Sequence, residues 1–377
     1  QQLPRRAFTR AVQRYRGDRR VRAFTCRDQF LCMAFAQLTF RDSLRDLVTC
    51  LRALGPKLYH VGLCGGISRS TLADANEHRD WRIWADFAQH LIAHARRLYA
   101  ADNFGVQLEQ TAYVLDATVI DLCLTLFPWA HAQRTCGGIK VHTLLDLRGN
   151  IPCFLRVSST KATDASTLDD LPVEPGAIYI MDRGYNDYAR LYELHLRHAI
   201  FIVRAKGNLT VRRLTHAPVD RATGLRSDQR VRLKHRQTAA RYPEVLRRVT
   251  FFDTEQRRHF IFMTNDQHLP ALTIAELYRH RWRIELFFKW IKQHLRIKHF
   301  YGTSPNAVKT QLWIAISVYV LVAILRQQLG IARSLAEMLQ ILSLTLFEKT
   351  PLCAVSSSDY RTTPTATDPN QLTLFDL

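Results

Sequence analysis

Residues 278–298, YRHRWRIELFFKWIKQHLRIK, place one acid, Glu285, among seven Lys or Arg residues and two His residues. At about 100° per residue, a helix would gather its apolar side chains into one core-facing stripe, formed by Ile284, Phe287, Phe288, Ile291 and Leu295. An arc of roughly 60° on the adjoining face would contain Tyr278, Arg281, Glu285 and Lys292. Two interpretations are open: a surface helix whose Glu285 pairs with Arg281 and Lys289, or a carboxylate kept for chemistry.

The chain as a whole is strongly basic. Its 377 residues carry 53 Lys or Arg against 33 Asp or Glu, which gives a formal charge of +20 and a pI near 10.0. This balance predicts a polyanionic partner, and nucleic acid is favoured over an anionic membrane surface. The longest apolar run, residues 312–325, is shorter than the roughly 18 to 20 residues that span a bilayer, so it predicts a buried helix and no membrane association.

The eight cysteines are scattered and form no Cys-x-x-Cys pair. This favours reduced, small apolar residues of a cytosolic protein over a zinc site or a disulfide framework. The sequence shows no signal peptide, and because it begins with Gln1 rather than Met, a short preceding segment is expected to be missing.

The hydrophobic period changes along the chain. The first hundred residues show helical spacing, and residues 67–81, after a turn at residues 65–66, predict either a helix–turn–helix or an ordinary helical hairpin. In the first case the side chains offered to DNA would be Arg69, Ser70, Thr71, Asn76 and Arg79. Strands are predicted at residues 111–120, 139–147, 151–157, 177–181 and 200–204, with a helix near 188–198, an order typical of a mixed α/β sheet.

A basic block interrupts this pattern. Residues 205–250 contain twelve Lys or Arg and three acids, and residues 216–230 are predicted to form a loop. Residues 249–263 predict a β-hairpin. The block separates the sheet from the stretch around Glu285 and is therefore interpreted as an insertion.

Two aspartates stand out in the predicted sheet. Asp116 interrupts an apolar strand, which is costly unless the carboxylate is paired or binds a cation. Asp182 directly follows the strand at 177–181, and the carboxyl ends of strands are where α/β sheets place their sites. Taken singly, each is as well explained by a turn or a cap. Together with Glu285 they predict a two-metal site for phosphodiester displacement, with ions roughly 3.5–4 Å apart, and oxygen ligands favour Mg²⁺.

The sequence resembles DDE transposases of the insertion-sequence-four family. The spacing Tyr278, two residues, Arg281, three residues, Glu285, six residues, Lys292 matches that family's signature. The two aspartate elements match as residues 115–118, Leu-Asp-Ala-Thr, and residues 182–185, Asp-Arg-Gly-Tyr. The similarity runs through nearly the whole chain.

The resemblance implies an α/β fold: an RNase H-like catalytic core with a β-rich insertion and an α-helical N-terminal DNA-binding region. The expected divisions are 1–105 (helical, DNA-binding), 106–205 (first part of the core), 206–270 (basic insertion), 271–330 (second part of the core) and 331–377 (C-terminal helix and tail). The implied reaction is divalent-metal-dependent cleavage at transposon ends, followed by transfer of the freed 3′-hydroxyl into target DNA. Mg²⁺ is the expected cofactor, Mn²⁺ is expected to substitute for it, and the protein is expected to act as a homodimer on DNA in the bacterial cytoplasm, at the nucleoid.

The resemblance also assigns roles to residues. Asp116, Asp182 and Glu285 carry over as metal-binding catalytic residues, and Tyr278, Arg281 and Lys292 as DNA contacts. Helix geometry adds Lys289 and Arg296. The insertion adds candidates for phosphate contact, namely Arg212, Arg213, Arg230, Arg232, Lys234 and Arg236. Relatives hold a flipped base against an insertion tryptophan that is absent here, so the candidates for stacking are Tyr242, Phe251, Phe252, Phe260 and Phe262.

The last seven residues, QLTLFDL, end a polar tail with apolar side chains. Gln371, Leu372, Leu374 and Phe375 match the Gln-Leu-x-Leu-Phe peptide by which bacterial proteins bind the replicative sliding clamp. Docking on the protein's own surface is the alternative.

Two other functions remain open at this stage: an RNase H-like nuclease that cuts without joining strands, and an inactive DNA-binding repressor of transposition. The intact carboxylate trio disfavours the repressor.

Overall fold

The N-terminal part of the protein is helical. The computed structural model describes residues 4–63, 66–122, 126–130, 137–294 and 300–345. Its first helices are α1 (Arg5–Arg14), α2 (Cys26–Leu38), α3 (Leu44–Ala53), α4 (Leu58–Val61), α5 (Arg69–His78) and α6 (Arg82–Leu98). Thr25, Ser43 and Ser68 cap α2, α3 and α5 by accepting hydrogen bonds from backbone amides of the first turn. The helical region predicted from the sequence is confirmed.

A nine-stranded mixed sheet follows. Its strands are β1 (Ala112–Leu122), β2 (Gly137–Asp146), β3 (Ile151–Ser159), β4 (Ile178–Met181), β5 (Ile200–Arg204), β6 (Val211–Ala217), β7 (Leu225–Leu233), β8 (Leu246–Asp253) and β9 (Arg258–Thr264), in the order β3-β2-β1-β4-β5-β9-β8-β7-β6. Strands β1, β2 and β3 are antiparallel, whereas β4 and β5 run parallel to β1. Helix α7 (Tyr188–Leu196) connects β4 to β5. This is the expected RNase H-like core.

The β-rich insertion extends the core sheet. Strand β9 pairs antiparallel with β5, and β8, β7 and β6 continue outward. The predicted loop at residues 216–230 is correct only for residues 218–224, because β6 extends to Ala217 and β7 begins at Leu225. The error has a physical reason: β6 is exposed along almost its whole length, so it lacks the alternating apolar pattern of a half-buried strand.

The C-terminal helices complete the fold. They are α9 (Ala271–Arg279), α10 (Trp282–His294), α11 (Pro305–Gln328) and α12 (Leu335–Thr345), after the short α8 (Arg236–Arg241) of the insertion. Helix α11 is long and apolar enough to cross a membrane by length and composition, but 83% of its most apolar window is buried inside the protein. The prediction of a buried helix at residues 312–325 is thus confirmed.

Two apolar layers sandwich the first five strands. One layer lies between the sheet and the helices α6, α10 and α11, and the other lies beneath α7. Arg96 of α6 ties the helical region to the sheet, since its guanidinium donates to Asp146 at 3.2 Å and to Glu174 at 3.0 Å. Among the described residues, Cys26, Cys32, Cys50 and Cys153 are free thiols, as predicted.

Candidate active site

Asp116 and Asp182 lie side by side at the carboxyl end of β4. The parallel register pairs Leu115 with Met181, so the two aspartates are the next residues on neighbouring strands. Strands in a sheet are roughly 4.8 Å apart. Because Val114 and Ile180 belong to the layer under α10 and α11, alternation along each strand directs both aspartates to that same face.

Glu285 comes to this face from α10. The apolar side of α10 anchors the helix, because Ile284, Phe287 and Ile291 are all buried in the core beneath it. Glu285 lies on the other side, with 56% of its side chain exposed. The three predicted carboxylates thus approach the carboxyl end of β4 on one face of the sheet, two from strands and one from a covering helix.

The predicted single helix over residues 278–298 is wrong in one respect. Helix α9 ends at Arg279 and α10 begins at Trp282, so Tyr278 and Glu285 belong to different helices with Arg281 in the turn between them. Tyr278 is only 8% exposed and packs on Phe262, with ring centroids 4.7 Å apart. The break lets α9 pack on the insertion while α10 packs on the core.

Arg281 joins two of the carboxylates. Its Nη1 donates to Asp116 Oδ2 at 2.7 Å, and its Nη2 donates to Glu285 Oε1. The pair between Arg281 and Glu285 is the one that the surface-helix interpretation expected. The additional contact with Asp116, however, places the guanidinium inside the acidic cluster rather than on a solvated helix face.

Burial and the neighbouring negative charges disfavour the charged form of Asp116. Burial raises the pKa of Asp116 to about 6, and the negative charges of Asp182 and Glu285 act in the same direction. The Ala117 amide, which donates to Asp116 at 2.8 Å, and the Arg281 guanidinium oppose this shift. A partly buried group of carboxylates with this behaviour favours a nearby cation.

The donor set suits a hard divalent ion. Carboxylate oxygens are the ligands that Mg²⁺ and Mn²⁺ prefer, and Asp116, Asp182 and Glu285 would supply them. In the described part of the chain no three His, Cys, Asp or Glu side chains are spaced to hold a metal ion. The reason is that the carboxylates have other partners in this conformation. Arg281 lies between Asp116 and Glu285, and Asp182 accepts a hydrogen bond from the Gly184 amide in its own turn.

Sequence reasoning missed a fourth carboxylate behind this turn. Asp164 begins the short 3-10 helix Asp164–Asp170 and accepts a hydrogen bond from Lys140 Nζ at 3.0 Å. A Cβ added at Gly184 would lie 2.9 Å from Asp164 Oδ2 and 3.1 Å from Asp182 Oδ1, so a larger residue there would displace these two carboxylates. No periodic pattern in the sequence marks Asp164, because its neighbours, Lys140 and Gly184, come from other segments of the chain.

The other predicted DNA contacts on α10 differ in exposure. Lys289 is exposed on α10, and Lys292 is half-buried on the same helix. Arg296 lies outside the described residues, as do the tail residues Gln371, Leu372, Leu374 and Phe375.

The basic side chains of the insertion are well placed to meet a polyanion. All six predicted residues are exposed, and none of them forms an ion pair within the described residues: Arg212, Arg213, Arg230, Arg232, Lys234 and Arg236. The register of β6 and β7 sets Arg212 directly opposite Arg232 and Thr215 opposite Arg230. Positive charges therefore accumulate on one face of these two strands.

Most of the aromatic candidates for base stacking lie in the core of the protein. Tyr242, Phe251, Phe260 and Phe262 are buried. Phe252 is half-buried, and Arg226 lies over its ring at 5.3 Å from the centroid. Of the five candidates, Phe252 alone retains accessible ring surface.

Two of the N-terminal candidates are engaged inside the protein. Asn76 is buried and accepts a hydrogen bond from Gln29 Nε2 at 2.7 Å. Arg79 donates to Gln29 Oε1 at 3.0 Å and to the carbonyl of Phe24. Both side chains therefore hold α5 against α2, which favours the interpretation of this part as a helical hairpin.

Comparison with known proteins identifies the chain. A family model described as the transposase DDE domain matches residues 107–321, more than half of the chain, and a model for a domain of unknown function matches residues 1–64. The chain is 31% identical over 289 residues to a protein of Sinorhizobium fredii strain NGR234 named as transposase y4zB, which covers 75% of this chain and 79% of that protein.

Two further likenesses are more distant. A protein of Geobacillus stearothermophilus, named as a transposase for insertion sequence element IS5377, is 27% identical over 217 residues, 57% of this chain and 56% of its own. A solved piggyBac transposase synaptic complex with hairpin DNA aligns with 92% of this chain and 77% of its own, at 9% identity and a TM-score of 0.46. The match of the DDE domain across residues 107–321 shows that this chain belongs to the DDE transposases, the metal-dependent enzymes of DNA transposition.

Proposed function

We propose that Asp116, Asp182 and Glu285 form the catalytic site of this transposase and bind two Mg²⁺ ions, for which Mn²⁺ would substitute. The observation that carries the proposal is the register of β1 and β4, which brings the two aspartates together, with Glu285 supplied by α10 above them. Bound divalent ions would stabilise the attacking and leaving oxygens of phosphodiester displacement.

Residues of this chain would bind and orient the DNA. Arg281, Lys289 and Lys292 lie on or next to α10, beside the carboxylates, where they would contact phosphates flanking the scissile bond. The exposed face of β6 and β7 would track the DNA backbone further out and give affinity that falls with salt. Residues 1–105 would form the DNA-contacting helical region, residues 106–205 and 271–330 the catalytic core, residues 206–270 the insertion and residues 331–377 the C-terminal helix and tail.

The test is cleavage of a duplex that carries the element's terminal sequence, in the presence of Mg²⁺. Alanine at Asp116, Asp182 or Glu285 should each lower the rate at least ~100-fold, since each removes ligands from the reacting centre. Asp121→Ala is the matched control, because Asp121 is exposed on β1 and alternation turns it to the opposite face. It should change the rate by no more than about twofold. Retained cleavage in the three active-site variants would remove the assignment.

The same reaction separates the alternatives. Joining of the freed 3′ end to a second DNA molecule indicates a transposase, and nicking without joining indicates a nuclease. Binding of the ends without cleavage indicates an inactive repressor.

Assembly and further partners belong to the proposal. The enzyme would act as a homodimer on paired ends in the bacterial cytoplasm, at the nucleoid, and mass measurement of the complex with DNA tests the dimer. The tail at Gln371, Leu372, Leu374 and Phe375 would bind the replicative sliding clamp. A peptide of residues 369–377 that shows no change in fluorescence anisotropy with clamp would exclude this contact.

A further inference from the structure

Arg281 is the internal counter-ion of the acidic cluster. Its guanidinium donates to Asp116 and Glu285, and only 22% of the side chain is exposed, compared with 20% for Asp116. Two carboxylates that share one guanidinium are relieved of part of their mutual repulsion. The cation that stabilises this arrangement therefore comes from the protein itself.

We propose that Arg281 couples the binding of DNA to the binding of divalent metal, by exchanging its carboxylate partners for a DNA phosphate. This inference rests on the proposed function of the same site. The guanidinium and a divalent cation compete for the same oxygens of Asp116 and Glu285, because both are positive and both need those acceptors. A DNA phosphate offers the planar guanidinium of Arg281 an alternative bidentate acceptor, which frees the carboxylates.

The local structure permits this exchange. Arg281 lies in the turn between α9 and α10 and is half-buried, and the next residue, Trp282, is 51% exposed. The Glu285 side chain is more than half exposed and that of Arg281 is 22% exposed, so a phosphate would approach the pair from the side of Glu285. The ring of Tyr278 lies 5.9 Å from the guanidinium carbon and borders its other side. Arg281 belongs to neither apolar core cluster, so its side chain can leave the carboxylates without removing a core residue.

The coupling has a thermodynamic consequence. If DNA removes Arg281 from the carboxylates, DNA must raise the affinity for metal, and metal must raise the affinity for DNA by the same factor. The arrangement also keeps part of the negative charge of the carboxylates balanced without metal until a phosphate is present. Metal loading thereby becomes tied to the arrival of substrate.

The test measures Mn²⁺ binding by calorimetry with the full-length chain, alone and with a pre-cleaved duplex ending in the element's terminal sequence. Without DNA, Arg281→Ala and Arg281→Gln should bind Mn²⁺ about 10-fold more tightly than wild type, a coupling of ordinary size. DNA should raise the wild-type affinity about 10-fold and should raise that of both variants less than about threefold. Arg279→Ala, which removes a nearby charge paired instead with Asp253, should behave as wild type.

A variant with alanine at both Asp116 and Glu285 defines Mn²⁺ binding elsewhere on the protein and on the DNA, and this background is subtracted. Equal or weaker Mn²⁺ binding by both Arg281 variants in the absence of DNA would overturn the exchange while leaving the metal site intact. If wild type and the Arg281 variants bind no more Mn²⁺ than the double-alanine protein, the proposed metal site itself fails, and the exchange fails with it.

Discussion

His142 predicts a specific loss of stability in acid. It lies on β2, fully buried, with Nε2 2.9 Å from Ser158 Oγ, and its Nδ1 has no hydrogen-bond partner among the described residues. Burial lowers the pKa of His142 to about 4. Lys140 and Arg156 lower it as well, whereas Asp164 raises it. The imidazole is therefore neutral in the folded protein at neutral pH.

The sign of the effect follows from the unfolded state. An unfolded histidine has a pKa near 6.5, so between pH 6.5 and pH 4 the unfolded chain binds a proton that the folded chain does not. The stability due to neutral His142 is complete above pH 6.5 and is lost as the pH falls toward 4. Each pKa unit corresponds to about 1.4 kcal/mol, so the total is about 3 kcal/mol, of which about 2 kcal/mol is already lost at pH 5.

The measurement compares wild type with His142→Gln, whose amide can replace Nε2 as the partner of Ser158. Urea unfolding at pH 7.5 and pH 5 gives the loss of unfolding free energy for each protein, and carboxylates common to both cancel in the difference. Wild type should lose about 2 kcal/mol more than the variant. Equal losses in the two proteins, or an imidazole NMR signal that titrates near pH 6.5, would refute the argument.

Two further predictions concern the insertion and a turn. Asp228 and Arg247 form a buried bidentate pair at 2.8 and 2.7 Å. Asp228→Ala should therefore lower the free energy of unfolding by about 3–5 kcal/mol, while replacing both residues, with Leu and Met, should restore most of that loss. A loss below about 1 kcal/mol for Asp228→Ala in urea unfolding would contradict this. Gly149 has φ +72°, and a Cβ there would lie 2.4 Å from the ring of Tyr99. Gly176 has φ +78° with open space around it, so Gly176→Ala should cost only about 1–2 kcal/mol. Gly149→Ala should destabilise the protein clearly more, because it adds the contact with Tyr99. Equal shifts of the thermal midpoint for the two variants would show that the ring can move aside.

The strands of the core were predictable because their patterns are local. The apolar runs around Asp116 and before Asp182 match β1 and β4 closely, and their order along the chain is enough to indicate a mixed sheet. Strand β6 was missed because an exposed, arginine-rich edge strand has no apolar alternation, and β7 was missed because its few buried apolar residues stand among polar ones.

The roles of the aromatic residues in the insertion were also not predictable from residue type. Phe260 and Phe262 are candidates for base stacking by residue type alone, yet both are buried, where they contact Tyr278. An aromatic side chain packs in a hydrophobic core as readily as it stacks on a nucleic acid base. Burial, which depends on the whole fold, decides between the two.

The sequence by itself indicated the class of protein and predicted the three carboxylates, because the spacing of residues 278–292 and the two aspartate elements are local properties of the chain. It also determined the basic character of the molecule. Only the tertiary structure decided that the chain breaks between α9 and α10, that Tyr278 faces the insertion, and that Arg281 bridges Asp116 and Glu285. The physical reason is that an ion pair between residues 116 and 281 depends on how a strand and a helix pack, and helical periodicity contains no information about that contact.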